Sequence, residues 1–126
     1  MVIGLGIDVV EVARLEAVLA RHPQRASDRL FTSEELAECA SRRDSTPCLA
    51  SRFAAKEAFL KALGTGLRDG IAWRHMSVRS GPLGQPKLVV TERAAEKLTE
   101  LGGTAVHVSI THDAGVAAAV VVIEAS

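Results

Sequence analysis

The sequence predicts an α+β fold in which a small antiparallel sheet packs against a long central helix and shorter helices. Three observations favour this class. Residues 52–63 carry apolar side chains at helical spacing. Residues 76–80 and 87–91 have the pattern of two strands joined by a turn rich in glycine and proline. Residues 105–111 and 115–123 form a second pair of strand patterns with a short connection.

The central helix runs into the glycine-flanked turn 64–66, whose first glycine stands where a left-handed cap is expected. Its apolar positions at helical spacing are Leu49, Phe53, Leu60 and Leu63. Glu57 and Lys61 lie four residues apart and so one turn from each other, and Arg52 and Lys56 are expected close by. This combination suits a metal-bound, phosphate-bearing ligand. The alternative is an ordinary amphipathic helix with a solvated ion pair.

The N-terminal segment, residues 2–10, is predicted to be a strand with two unlike faces. One face, expected to pack on the core, consists of Ile3, Leu5, Ile7 and Val9. The other consists of Gly4, Gly6 and Asp8, and its bare backbone lets another group approach closely. If Asp8 lies against Glu57, the two carboxylates can hold Mg²⁺, with water and phosphate oxygens completing the shell. Asp8 can also cap a helix that begins near Glu11, and the two roles are compatible.

Composition and charge narrow the class of protein. At 126 residues the chain is predicted to be one domain, residues 1–126. Fifteen basic and fifteen acidic residues argue against broad nucleic-acid binding, which needs a basic surface. Cys39 and Cys48 match no metal-binding spacing and are predicted to be reduced, structural thiols. No signal peptide or membrane-spanning run is evident, so a cytoplasmic location is expected.

The first helix is predicted from Glu11 to His22, where Pro23 ends it. Its inward stripe consists of Val12, Leu15 and Leu19. A different side of the helix and the segment beyond the proline carry Arg14, Val18, Arg21, Arg25 and Arg29. Such a basic face is either solvated surface or a docking site for an acidic protein, because cationic patches speed and orient these encounters.

The remaining segments alternate helices with polar connections. A capped helix is expected over residues 33–42, followed by a polar connection at 43–47. Residues 67–73 are predicted to be a loop, and residues 91–101 a helix that ends at a glycine pair.

The last strand pair carries two histidines, and its second strand is predicted to be covered on both faces because it is apolar on nearly every residue. His107 and His112 fall on opposite faces of a regular strand, so a shared zinc site is not expected. His107 is predicted to be structural. His112, beside the turn, is the better candidate for ligand contact.

Three motifs, at residues 6–11 (GIDVVE), 52–66 (RFAAKEAFLKALGTG) and 108–124 (VSITHDAGVAAAVVVIE), together resemble the holo-acyl-carrier-protein synthases. These are the small class of 4′-phosphopantetheinyl transferases, and the resemblance covers essentially the whole chain. It implies the fold of that family and transfer of phosphopantetheine from coenzyme A to a serine of apo acyl-carrier protein, with release of 3′,5′-ADP, for fatty-acid or polyketide synthesis.

The resemblance also implies roles for individual residues. Asp8 and Glu57 are the expected Mg²⁺ ligands, and with Lys61, which neutralises phosphate charge, they form the predicted catalytic set. The residues expected to bind coenzyme A are Arg52, Lys61, Gly64, Thr65, Gly66 and His112. The residues expected to dock the carrier protein are Arg14, Val18, Arg21, Arg25 and Arg29. The general base is open between Glu57, Asp8 acting through a metal-bound water, and a metal-bound hydroxide.

The family resemblance further implies a homotrimer with active sites at subunit interfaces. Two other functions compete with this prediction. One is a different Mg²⁺-dependent enzyme in which residues 64–66 form a phosphate loop, although they lack the Walker pattern. The other is a non-catalytic module that binds coenzyme A or the carrier protein.

Overall fold

The computed structural model describes all 126 residues, Met1–Ser126, and has the predicted α+β architecture. In chain order the elements are β1 (Val2–Glu11), α1 (Val12–Arg21), α2 (Pro23–Leu30), α3 (Ser33–Ala40), α4 (Ser45–Leu63), a 3₁₀ turn (Trp73–His75), β2 (Met76–Ser80), β3 (Pro86–Val90), α5 (Glu92–Leu101), β4 (Ala105–Asp113) and β5 (Val116–Glu124).

The strands form two antiparallel sheets rather than one. The larger sheet has the order β1-β5-β4, and β2 and β3 form a separate hairpin. Helix α4 packs against the larger sheet through Ala58 and Ala62 and against the hairpin through the core around Phe59 and Met76, all of which are buried. Burying a side chain as large as Phe59 stabilises the fold by about 2–3 kcal/mol.

From Gly4 onward the two faces of β1 are reversed relative to the prediction, whereas Ile3 packs against the core as predicted. Leu5, Ile7 and Val9 are 66%, 64% and 61% exposed, so this apolar face does not pack on the core of the chain. The glycine face packs instead, because a Cβ at Gly6 would lie 1.9 Å from the carbonyl oxygen of Ala58. The bare backbone does admit a close neighbour, as predicted, and that neighbour is α4.

The larger sheet therefore has one covered and one open face. Strand β5 alternates: Ala117, Ala119, Val121 and Ile123 are buried, and the residues between them are only partly covered. The prediction that this strand is covered on both faces is wrong for the single chain. The open sheet face is formed by the aligned residues Leu5, Ile7, Val9, Ala118, Val120, Val122, His107, Ser109 and Thr111.

Helix boundaries differ from prediction near the polar connections. Strand β1 continues through Glu11, and a separate helix, α2, begins at Pro23 where only a stop was predicted. Proline suits this first helical position because its missing N–H would have no partner there. Helix α3 ends at Ala40, earlier than predicted, and α4 begins at Ser45 within the predicted connection.

The two cysteines form a disulfide between the end of α3 and the first turn of α4, so the prediction of free thiols is wrong. Their separation of nine residues gave no sign of pairing, because the antiparallel packing of the two helices brings them together. No helix combines the length and apolar character that crossing a membrane requires. The cytoplasmic location stays a prediction.

Candidate active site

Asp8 and Lys61 meet where β1 crosses α4. The Lys61 Nζ donates to Asp8 Oδ1 at 2.9 Å and to the carbonyl oxygen of Ile7 at 3.0 Å. The capping role considered for Asp8 is wrong, because the N-cap position of α1 is Glu11 and no side chain caps it. The lysine and the carboxylate are thus held together by the contact of the strand with the helix.

Glu57 faces the same region as Asp8. Both carboxylates line an open pocket of about 420 Å³ that also includes Arg14, Val18 and Phe53. Burial, and then repulsion from the Asp8 carboxylate, raise the pKa of Glu57, while Lys61 partly offsets the shift. A cation between the two carboxylates would relieve this repulsion.

The donor set of this carboxylate pair fits Mg²⁺. Glu11 also lines this pocket, but no group of three or more His, Cys, Asp or Glu side chains is arranged to hold a metal ion. The carboxylates that would serve a bound cation are therefore the pair Asp8 and Glu57. Mg²⁺ tolerates such a site because it usually keeps several waters and takes further oxygens from substrate phosphates.

Glu57 also lines a second pocket of about 380 Å³ together with Lys61, Gly64 and Gly66. Gly64 ends α4 in the left-handed conformation, as predicted. A Cβ at Gly64 or Gly66 would meet nothing within 4 Å, so the backbone of the turn is open to a ligand. Thr65 lies between them, and its hydroxyl donates to the carbonyl oxygen of Gly66.

Arg52 and Lys56 do not lie beside Glu57 and Lys61, contrary to prediction. The Lys56 Nζ is fully buried and donates to Glu35 Oε1 and to the carbonyl oxygen of Leu30, both at 2.6 Å. Burial lowers the pKa of Lys56, and the Glu35 carboxylate opposes that shift. This pair joins α4 to α3 and to the end of α2, so its role is structural.

Arg52 and His112 instead share a polar pocket of about 310 Å³ on another part of the surface, with Ser51, Ser80 and Thr111. The two residues therefore lie together, but they are separated from the carboxylate pocket, beside which Arg52 was expected. Predicted ligands of one molecule thus fall on two parts of one chain.

Two acidic residues contact the side chains of this polar pocket, and neither of them was identified from the sequence. Glu38 Oε1 accepts a hydrogen bond from Arg52 at 2.9 Å and another from the Ser80 hydroxyl. Asp44 Oδ2 lies 3.1 Å from His112 Nε2. The pairs are 14 and 68 residues apart in the chain, so no local spacing could have identified them.

The predicted docking residues form an exposed basic surface on α1 and α2. We call this the basic surface; its members are Arg14, Val18, Arg21, Arg25 and Arg29, all exposed. None of its four arginines takes part in an ion pair. Arg14 lines the carboxylate pocket, and Val18, Arg25 and Arg29 line an adjacent cleft that ends at Trp73. The basic surface is thus continuous with the site.

Comparison with known proteins identifies the class that this fold and site define. The model of the 4′-phosphopantetheinyl transferase superfamily matches residues 4–121. The chain therefore belongs to the 4′-phosphopantetheinyl transferase superfamily, and the family predicted from the three motifs is confirmed.

Within that superfamily, the chain is similar to individual synthases in sequence and in fold. The chain is 46% identical over 125 residues to the holo-[acyl-carrier-protein] synthase of Trichlorobacter lovleyi, covering 99% of each. Its fold matches the crystal structure of the Neisseria meningitidis synthase with a TM-score of 0.90 at 34% identity, covering 98% of this chain and 99% of that one. The Helicobacter pylori synthase in complex with coenzyme A matches with a TM-score of 0.85 at 31% identity, covering 95% and 99%.

Proposed function

We propose that this chain, acting as one domain in the cytoplasm, transfers the 4′-phosphopantetheine group of coenzyme A to a serine of apo acyl-carrier protein for fatty-acid synthesis. The observation that carries the proposal is that Asp8 and Glu57 line one open pocket beside a basic surface, while Lys61, bonded to Asp8, lines a second pocket with Glu57. Similarity to synthases named for this activity, one of them with coenzyme A bound, supports the choice of substrates.

In the proposed step, the serine oxygen attacks the β-phosphorus of coenzyme A. The new serine–phosphorus bond forms as the bond to the oxygen that bridges the two phosphates breaks, and 3′,5′-ADP leaves with that electron pair. Transfers of this kind depend on positioning and charge stabilisation more than on covalent participation of the protein. Lys61, which is half-exposed at the pocket, neutralises charge on the phosphates.

The carboxylates have two tasks in this mechanism. Asp8 and Glu57 would hold Mg²⁺, which supplies Lewis-acid polarisation of the phosphate oxygens when bound. One of the pair also takes the serine proton, directly or through water. Glu57 is favoured for this task because it lines both the carboxylate pocket and the pocket of Lys61.

The proposed partner is recognised through the basic surface. Unpaired arginines at an exposed helix pair favour an acidic helix over a neutral one, because complementary charge orients the encounter. Val18 lies among the arginines and lines both the cleft and the carboxylate pocket, so it offers an apolar contact close to the chemistry.

We further propose a homotrimer in which each active site is completed across a subunit interface. Two observations support it. The residues expected to bind coenzyme A are divided between the pocket of Glu57 and Lys61 and the separate pocket of Arg52 and His112. The open sheet face exposes a row of apolar side chains that a neighbouring subunit would bury.

The direct test is incubation of the chain with coenzyme A, Mg²⁺ and apo carrier protein, followed by mass spectrometry of the carrier. A mass gain of one phosphopantetheine on the carrier, with release of 3′,5′-ADP, is the expected result. Binding of coenzyme A without any mass gain would instead support the non-catalytic module. The basic surface is compatible with that alternative as well, because docking of an acidic partner requires no catalysis.

A further inference from the structure

The pocket that contains Glu57 and Lys61 has two chemically different halves. One half presents the Lys61 ammonium and the open backbone of Gly64 and Gly66. The other half is apolar and is formed by Leu60, Leu67 and Trp73. A ligand that matches both halves carries a phosphate at one end and an apolar chain attached to it.

Trp73 of this pocket packs against a second aromatic ring. Its ring centroid lies 5.0 Å from that of Phe53, with the planes tilted by 45°. Phe53 in turn lines the carboxylate pocket beside Glu57. The indole therefore packs beside a residue of the carboxylate pocket, and it is only partly buried.

We propose that Trp73 is a substrate-binding residue whose ring contacts the pantetheine arm of coenzyme A. This inference rests on the proposed function, which places the β-phosphate of coenzyme A at Asp8, Glu57 and Lys61. The arm is bonded to that phosphate and carries two geminal methyl groups close to it. The apolar surface within the same pocket is that of Leu60, Leu67 and Trp73, so the arm extends along it.

Trp73 also lies between the proposed binding sites of the two substrates. Besides the pocket of Glu57 and Lys61, it lines the cleft of the basic surface with Val18, Arg25 and Arg29. An arm lying on the indole is therefore close to the proposed entry of the carrier protein. The residues expected to bind the rest of coenzyme A include Arg52 and His112, which line a separate pocket that does not contain Trp73.

The chain contains one tryptophan, so its fluorescence reports on this residue alone. The experiment compares coenzyme A with 3′,5′-ADP, which lacks the arm, both titrated into the Mg²⁺-containing protein. Coenzyme A is expected to change the emission, whereas 3′,5′-ADP is expected to bind, as measured by calorimetry, without changing it. Equal emission changes with both nucleotides would overturn the assignment.

Variants provide an independent readout. Trp73→Ala is expected to raise KM for coenzyme A by about tenfold, which corresponds to about 1.4 kcal/mol, while leaving inhibition by 3′,5′-ADP unchanged. Trp73→Phe keeps an aromatic surface and should behave almost as the unaltered chain. Leu101→Ala, at a partly exposed apolar residue of α5, controls for loss of surface area.

The two proposals can fail separately. If Trp73→Ala weakens coenzyme A and 3′,5′-ADP equally, or weakens neither, the role of Trp73 is refuted while transfer by the unaltered chain still supports the function. If the unaltered chain transfers nothing to the carrier, the proposed function fails. An emission change specific to coenzyme A would then still support contact with the arm.

Discussion

Lys61 and Asp8, which are 53 residues apart in the chain, are joined by a hydrogen bond of 2.9 Å between Nζ and Oδ1. This bond ties the cation and one carboxylate of the proposed site to two different elements, β1 and α4. Glu57 stands on α4 one turn before Lys61 and lines the same pocket as Asp8. The proposed chemistry thus depends on the packing of one strand against one helix.

Removing either carboxylate should abolish Mg²⁺-dependent transfer. We expect Asp8→Ala and Glu57→Gln each to lower kcat by at least about 100-fold, because the charge stabilisation at the phosphates is lost. The measurement is phosphopantetheinylation of the carrier by mass spectrometry, with circular dichroism to check the fold. Glu100→Gln, on the exposed side of α5, is the control. Near-normal activity of either variant would remove the metal assignment.

The raised pKa of Glu57 predicts a pH effect on stability in the absence of divalent cations. The folded chain keeps a proton on Glu57 at pH values where the unfolded chain has lost it. Stability from this group is therefore fully present below the unfolded pKa and is lost as pH rises through the folded pKa. In EDTA, Tm of the unaltered chain should show this loss, and Glu57→Gln should not. An identical pH dependence in both proteins would contradict the prediction.

Added Mg²⁺ should oppose that loss, because it binds the ionised carboxylates and so releases protons. The rise in Tm on adding Mg²⁺ is expected to be larger at neutral pH than at acidic pH. Calorimetry in two buffers with different ionisation enthalpies would measure the released protons.

Active sites shared between subunits predict complementation between two inactive variants. Glu57→Gln damages the carboxylate pocket and His112→Ala the polar pocket, so a mixed oligomer contains some sites with both pockets intact. Random equal mixing in a closed trimer would restore about a quarter of the sites. Activity after co-refolding is the measurement, and each variant refolded alone is the control. No recovery, or a fully active monomer, would argue against shared sites.

Reversing one charge on the basic surface should weaken carrier recognition specifically. Arg25→Glu is expected to raise KM for the carrier by about tenfold and to reduce its dependence on salt, while KM for coenzyme A stays unchanged. Arg25→Lys keeps the charge and serves as the matched control. Equal effects on both KM values would indicate a general disturbance of the site.

Gly6→Ala should destabilise the fold strongly. Its new methyl group would lie 1.9 Å from the backbone oxygen of Ala58, so the strand must move off the helix. We expect a loss of about 3 kcal/mol or more in the free energy of unfolding. Gly81→Ala, where the nearest atoms belong to the flexible side chain of Gln85, should cost far less. Denaturant unfolding compares the two.

Local pattern was sufficient for the elements that decide the fold. The hairpin of β2 and β3, the helix α5 with its glycine cap, and the long helix α4 all lie where side-chain periodicity placed them. The expected proximity of Asp8 to Glu57 and Lys61 is also met, because β1 packs against α4. The catalytic roles of these three residues stay predictions.

The orientation of the β1 faces and the contacts between residues distant in the chain could not be predicted from local pattern. The alternation of side chains in β1 predicts two faces but does not show which face packs against α4. The glycine face packs there because only a residue without a Cβ fits against the backbone of Ala58. Arg52 and Lys56 were assigned to the wrong neighbours, since their partners Glu38 and Glu35 lie on another helix. The polar pocket was missed for the same reason.

The link between Cys39 and Cys48 makes the rigidity of the polar pocket depend on the redox environment. The disulfide lowers the conformational entropy of the unfolded chain. In the chain-entropy model this stabilises the folded state by roughly 3 kcal/mol. The segment that the disulfide closes carries Arg42 and Asp44, whose side chains reach Glu38 and His112. In surroundings that keep thiols reduced, the segment would lose this covalent link, and the contacts of Arg42 with Glu38 and of Asp44 with His112 would have to position these side chains without it.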